Sequence, residues 1–151
     1  MIRYYFGDKA GLVGALVDDL LHGATEGLVA NAETLPGGGD RLHAYIQGTR
    51  ELMEMPGFMD FFDVLPHALR DGALRGRIAE LYEWYREMNT RCFDLPQNGI
   101  DDRQRAAVAA LVVAAVDGLA IQAALAPETF DVAPAFAALE AAVGYLLGSP
   151  S

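Results

Sequence analysis

Apolar positions recur along this chain with the spacing of amphipathic α-helices, and no segment alternates apolar and polar residues with a period of two. Glycine, proline and their usual polar neighbours interrupt the pattern at 35–39, 56–57, 71–72, 96–99 and 127. The pattern therefore predicts an all-α fold of about seven helices. Their expected ranges are 2–6, 9–34, 41–55, 58–70, 73–95, 102–125 and 133–147.

Residues at the helix ends refine this division. Gly7 permits the positive φ that ends a helix, and Asp8 suits the N-cap of the helix that Lys9 opens. Asp40 is the expected N-cap of the helix at 41–55, and Asp101 or Asp102 that of the helix at 102–125. Pro66 is expected to kink the helix at 58–70 or to divide it at Leu65.

The helix at 102–125 is apolar on all sides after Arg105, and residues 106–125 have the length of a membrane span. Nine of those twenty residues are alanine, and Asp117 and Gln122 would lie in hydrocarbon at a high cost. We therefore interpret the segment as a core helix that is buried on several sides, with no membrane partner. Its small residues allow neighbouring helices to approach closely, including helices of a second copy.

Charge and cysteine content restrict the function further. The 151 residues suffice for one domain with a core, and the formal net charge is −10. An acidic body does not bind nucleic acid by counterion release, so DNA contact is expected only near Arg3 and Lys9. Cys92 is the single cysteine, which excludes an intramolecular disulfide and suits a reducing compartment. With no signal peptide at the N-terminus, we expect a cytoplasmic protein.

Two segments resemble one family of proteins. The run YYFGDKAGL at 4–12 resembles the junction between the recognition helix and the following helix in TetR-type transcriptional regulators. The run VDGLAIQAALAP at 116–127 is similar to the penultimate helix of the same family. The resemblance implies a remnant of the DNA-binding domain at 1–8, an effector-binding and dimerisation bundle at 9–148 and a flexible tail at 149–151. Because two helices and most of a third precede this junction in the family, most of the helix-turn-helix is expected to be missing.

The resemblance also implies site residues and partners. Lys9, with Tyr4 and Tyr5, would contact phosphates of operator DNA, provided that the missing helices are present. A small apolar or amphipathic effector would bind between the middle helices and control DNA binding by a population shift. The candidate pocket residues are Phe58, Phe61, Phe62, Leu65, His67, Tyr85, Met88 and Gln122, and further polar candidates are His43, Tyr45, Gln47, Arg50, Asn89 and Asp117. A homodimer would form through Ala115, Gly118, Leu119, Phe136, Leu139 and Val143.

Two alternatives belong to other classes of protein. One is a stand-alone helical protein that sequesters a ligand or forms a heterodimer with a full-length relative. The other is a small metal-dependent enzyme, since Asp19 with His22 and Asp40 with His43 place a carboxylate and an imidazole three residues apart. The metal pattern would need further glutamates on other helices, so we expect no enzyme activity, catalytic residue, metal or cofactor.

Overall fold

The computed structural model describes residues 9–93 and 100–148, and this part of the chain contains helices and no strand. The prediction of an all-α fold is therefore confirmed. Six helices follow one another: α1 Lys9–Glu33, α2 Gly39–Met53, α3 Asp60–Ala68, α4 Gly72–Cys92, α5 Asp102–Leu125 and α6 Val132–Leu146. Residues 1–8 and 149–151, with Tyr4 and Tyr5, lie outside the described residues, and so does the side chain of Lys9.

The helix ends agree with the predicted ranges to within three residues, and aspartates cap three of the helices. Asp71 accepts hydrogen bonds from the backbone of Ala73 and Leu74, and Asp131 accepts one from Ala133. The predicted cap at Asp101 is confirmed, since its carboxylate accepts from the backbone N–H of Gln104 at 2.7 Å. Each such cap satisfies backbone donors that the first helical turn leaves unpaired.

The prediction for Asp40 is wrong, and so is one of the two alternatives expected for Pro66. Asp40 is not an N-cap, because α2 begins at Gly39, two residues earlier than predicted, after Gly38 turns the chain with a φ of 101°. Asp40 instead lies in the first turn, where its charge suits the helix dipole. Pro66 does not divide α3, which continues through it to Ala68. In so short a helix the proline removes only one backbone hydrogen bond.

The helices pack around one core. Helix α1 contacts α2, α3 and α4, while α5 lies between α4 and α6, and α6 returns to α2. Leu21, Ile46, Phe93, Val112 and Phe136 are among the buried side chains. The contact between α1 and α2 is close at Gly48, where a Cβ atom would collide with the end of the Leu28 side chain.

Helix α5 leaves much of its apolar surface uncovered. Among the described helices it is the one long and apolar enough to cross a membrane by length and composition, and 28% of its most apolar window is buried. Val108, Val112, Val116 and Ala120 form its buried side. Leu111, Ala114, Ile121 and Leu125 lie on the exposed side, which is also apolar.

Candidate functional site: a cavity between the helices

A cavity of about 50 Å³ lies among α1, α2, α4 and α5, with Phe58 and α3 along one side. Its walls are mostly apolar. Aliphatic residues line it from three helices: Leu21, Leu28, Leu52, Val112, Val113 and Val116. The aromatic residues are Tyr45, Phe58, Phe61, Tyr82 and Tyr85, and the polar ones are Thr25, Thr49, Asn89 and Asp117. A concave apolar site with a few polar groups is the usual form of a small-molecule site.

Tyr82 and Asp117 form a hydrogen bond between two lining side chains. The Tyr82 hydroxyl donates to Oδ2 of Asp117 at 2.6 Å, which joins α4 to α5. Burial raises the pKa of Asp117 above its ordinary value of 3.8, and the bond from Tyr82 partly opposes that rise. Burial and the bond to the carboxylate raise the pKa of Tyr82, so its hydroxyl stays a proton donor at neutral pH.

Two other lining side chains hold polar atoms that have no partner. Oγ1 of Thr25 and Oδ1 of Asn89 are buried, and neither makes a hydrogen bond within the described part of the chain. Thr49 differs, because its hydroxyl donates to the backbone oxygen of Tyr45 at 2.8 Å. Of the lining residues Thr25, Thr49 and Asn89, Thr25 and Asn89 therefore have a polar atom free to bind a ligand, and the Thr49 hydroxyl is already hydrogen-bonded.

The structure brings some of the predicted pocket residues to the cavity and not others. Phe58, Phe61 and Tyr85 line it, as do the polar candidates Tyr45, Asn89 and Asp117. The remaining pocket candidates lie elsewhere: Phe62, Leu65, His67, Met88 and Gln122. His67 is exposed, and the exposed amide of Gln122 donates to the backbone oxygen of Gly118 in its own helix. The rings of Phe58 and Phe61 pack against Phe62.

The contribution of α1 to the cavity walls was not predicted from the sequence. Leu21, Thr25 and Leu28 follow one another at intervals of four and three residues, so they share one face of the helix. The available signal was Thr25, a polar residue on an otherwise apolar stripe. Its hydroxyl is small and tolerated on many helix faces, so the sequence alone does not distinguish a lining group from a surface one.

A family comparison places most of this site in a known class. A family model described as the C-terminal domain of BetI-type transcriptional repressors matches residues 60–148, which is more than half of the chain. The chain belongs to the TetR family. Comparisons with curated proteins and with solved structures give no match.

The matched residues of this TetR-family chain run from α3 to α6 and include the cavity walls formed by Phe61, Tyr82, Tyr85 and α5. The family assignment makes the chain a regulatory domain of a transcription regulator, a non-enzymatic class. Domains of this kind bind effectors and dimerise in general. The walls formed by α1 and α2 lie outside the matched residues.

The residues predicted for a dimer interface occupy different environments. Phe136 and Val143 are 0% and 2% exposed, so they belong to the core of the chain rather than to its surface. Leu119 and Leu139 are half-buried, as are Ala115 and Gly118. The outward side of α6 carries other apolar residues: Ala137, Ala138, Ala141, Ala142 and Tyr145, the last of them 84% exposed.

The described residues contain no cluster of three or more histidine, cysteine or acidic side chains able to hold a metal ion. The ring of His22 lies against Trp84, with 4.1 Å between the ring centroids. Nδ1 of His43 lies 2.9 Å from Oε1 of Glu140, which joins α2 to α6. Both histidines thus have partners other than the aspartates that precede them by three residues.

Proposed function

We propose that this chain is the effector-binding and dimerisation body of a TetR-type repressor, and that a small ligand in the cavity controls DNA binding. The observation that supports this most is the participation of α1. Leu21, Thr25 and Leu28 form one wall of the cavity, and the same helix begins at Lys9. A ligand that displaces this wall therefore moves the helix that contains Lys9 and follows Tyr4 and Tyr5, the proposed DNA-contact residues.

The size of the cavity supports a mechanism. A volume of about 50 Å³ holds a few water molecules, whereas sites for drug-sized ligands occupy roughly 300–1,000 Å³. A larger effector consequently binds only when the helices move apart. Its greater affinity for the expanded state shifts the population towards that state. The movement of α1 then changes the position of the DNA-reading segments.

The exposed apolar sides of α5 and α6 support homodimerisation. Leu111, Ile121 and Leu125 on α5 and Tyr145 on α6 are large apolar side chains in contact with water. Exposed apolar surface of this kind marks an interaction site. A second copy that packs its own α5 and α6 against these helices would cover it. The same pairing would account for the membrane-like composition of α5 without a membrane, in a cytoplasmic protein.

The proposal is tested on the native protein from its source cells, by immunoprecipitation with the associated DNA and by intact mass. Recovery of a specific DNA fragment supports a repressor, and its loss from the precipitate after effector addition supports ligand control. Operator binding requires the helices that complete a helix-turn-helix. An intact mass above that of these 151 residues would show that such helices are present. If no DNA is enriched and the mass equals that of these 151 residues, the proposal is wrong. A ligand-sequestering or heterodimerising protein would then be the better interpretation.

A further inference from the structure

Thr25 and Asn89 combine two properties that rarely occur together. Their side chains are 2% and 3% exposed, and each has a polar atom with no partner among residues 9–93 and 100–148. Both residues line the same cavity. Buried polar groups in proteins almost always have a hydrogen-bond partner, because an unpaired one costs free energy. A pair of such groups around an apolar cavity indicates a partner that comes from outside the chain.

The unused atom of Asn89 is an acceptor. Its amide nitrogen donates to the backbone oxygen of Tyr85 at 2.6 Å. That carbonyl accepts hydrogen bonds only, so the nitrogen of the side chain must face it, and the oxygen Oδ1 remains free. The hydroxyl of Thr25 can donate or accept, so it adapts to whichever group lies beside it.

We propose that Thr25 and Asn89 form a polar subsite that binds the hydroxyl group of a small uncharged effector. This inference rests on the proposed function of the cavity. A hydroxyl group donates and accepts at once, so it can donate to Oδ1 of Asn89 and exchange a hydrogen bond with Thr25. Both protein groups are neutral, so they match a dipole rather than an ion.

The position of Asp117 supports the choice of an uncharged ligand. This carboxyl group is the ionisable acid of the cavity, and it already accepts the Tyr82 hydroxyl. Asn89 lies seven residues from Tyr82 along α4, which corresponds to about 10 Å. The subsite consists of the unpartnered atoms of Thr25 and Asn89, whereas the carboxyl group already has its partner in Tyr82. The aliphatic and aromatic lining between them suits an apolar body for the ligand, such as a ring.

Phenol and toluene are the probes that test the subsite, since they have similar size and shape and differ in a hydroxyl and a methyl group. The dissociation constants are measured by titration calorimetry for the wild type, Thr25→Val and Asn89→Leu. The ratio of the toluene Kd to the phenol Kd cancels most of the apolar contribution. We expect each substitution to lower this ratio about tenfold, the effect of one lost buried hydrogen bond.

Thr49→Val is the matched control. Thr49 lines the same cavity, but its hydroxyl is bonded to the Tyr45 backbone, so its loss should leave the ratio unchanged. Circular dichroism should show that Thr25→Val melts at or above the wild-type temperature without ligand, because it removes an unpaired buried atom. Asn89→Leu removes an unpaired atom and also the bond from its amide nitrogen to the Tyr85 backbone, so it should melt near the wild-type temperature. If Asn89→Leu does not fold, Asn89→Ala replaces it in the same measurement.

The outcomes separate the subsite from the cavity. A ratio that falls in Thr25→Val and Asn89→Leu but not in Thr49→Val supports the inference. If both probes bind and no substitution changes the ratio, the inference is overturned, because the ligand hydroxyl does not bond to Thr25 or Asn89 and buried water is their partner. The cavity would still be a ligand site. An equal fall in Thr49→Val also overturns it. If neither probe binds the wild type, the inference and the proposed effector site both fail.

Discussion

Asp117 occupies a position where burial disfavours the charged form of its carboxyl group relative to water. Burial raises its pKa, and the only side-chain hydrogen bond that the structure gives it comes from Tyr82. As the pH rises past 3.8, the carboxyl group loses its proton in the unfolded chain before it does so in the folded one. The contribution of Asp117 to stability is therefore complete below that pH and is lost as the pH rises through the folded-state pKa.

The substitution Asp117→Asn removes this titration and keeps an oxygen that can accept the Tyr82 hydroxyl. We expect the variant to gain free energy of unfolding relative to the wild type as the pH rises from about 4 towards neutral. Urea unfolding at a series of pH values measures the difference. Asp63→Asn is the control, because Asp63 is exposed on α3. A difference that is constant with pH, or that shrinks as the pH rises, would contradict the expected direction.

Cys92 is the single cysteine, and its thiol lies in the core of the chain. It is buried near the end of α4, and burial with the nearby charge of Glu33 raises its pKa to about 12, from 9.0. Because the thiolate is the reactive form, a rise of this size lowers the alkylation rate at pH 8 by about 1,000-fold.

This slow reaction is measured with iodoacetamide and intact-mass detection of the alkylated chain. The same reaction in concentrated urea is the control, since unfolding exposes the thiol and restores its ordinary pKa. Equal rates with and without urea would mean that Cys92 is accessible in the native protein.

At the scale of the helices, the sequence defined the elements well and their orientation less well. Glycine, proline and aspartate set the helix ends, and those signals are local. The faces of α5 and α6 could not be assigned, because both sides of each helix are apolar. Phe136 and Val143 carry the stripe that faces the core, whereas alanines fill the outward side. Hydrophobic periodicity identifies the buried face of a helix by its difference in polarity from the exposed face. In α6 the two faces differ in side-chain size instead, so the periodicity does not distinguish them.

The close approach of α1 and α2 at Gly48 leads to a prediction about the cavity. In Gly48→Ala the new methyl group meets the end of Leu28, a flexible side chain that lines the cavity. We expect Leu28 to rotate into the free space and the affinity for toluene to fall. Alanine favours a helix over glycine by about 1 kcal/mol, so the free energy of unfolding should change by less than about 1 kcal/mol.

Gly76→Ala is the matched control for that substitution. Gly76 lies on an exposed part of α4, and a Cβ atom there would meet nothing within 4 Å. The control should gain up to about 1 kcal/mol of stability and leave toluene binding unchanged. A loss of several kcal/mol in Gly48→Ala, by thermal unfolding, would show that Leu28 cannot move.

At the scale of the whole molecule, α5 connects the cavity to the proposed dimer surface. Val112, Val116 and Asp117 line the cavity, while Leu111 and Ile121 lie on the exposed side. A ligand that moves the inner side of α5 therefore displaces the outer side as well. The sequence predicted that α5 takes part in both ligand binding and dimerisation. It did not show which residues serve which function, because the position of the cavity depends on where α1 and α2 pack against α4 and α5.

The two functions of α5 can be separated by substitution. In the double variant Leu111→Glu with Ile121→Glu, we expect light scattering to give the mass of one chain, 16.2 kDa, where the wild type gives twice that mass. Charges placed in an apolar interface cost more than a dimer of this kind can tolerate. Because the cavity is lined by one chain, the monomeric variant should still bind toluene.

Arg77→Glu, an exposed charge change on α4, is the control and should remain dimeric. A dimer that survives both glutamates would place the interface away from this side of α5, and loss of toluene binding would mean that the cavity depends on the partner.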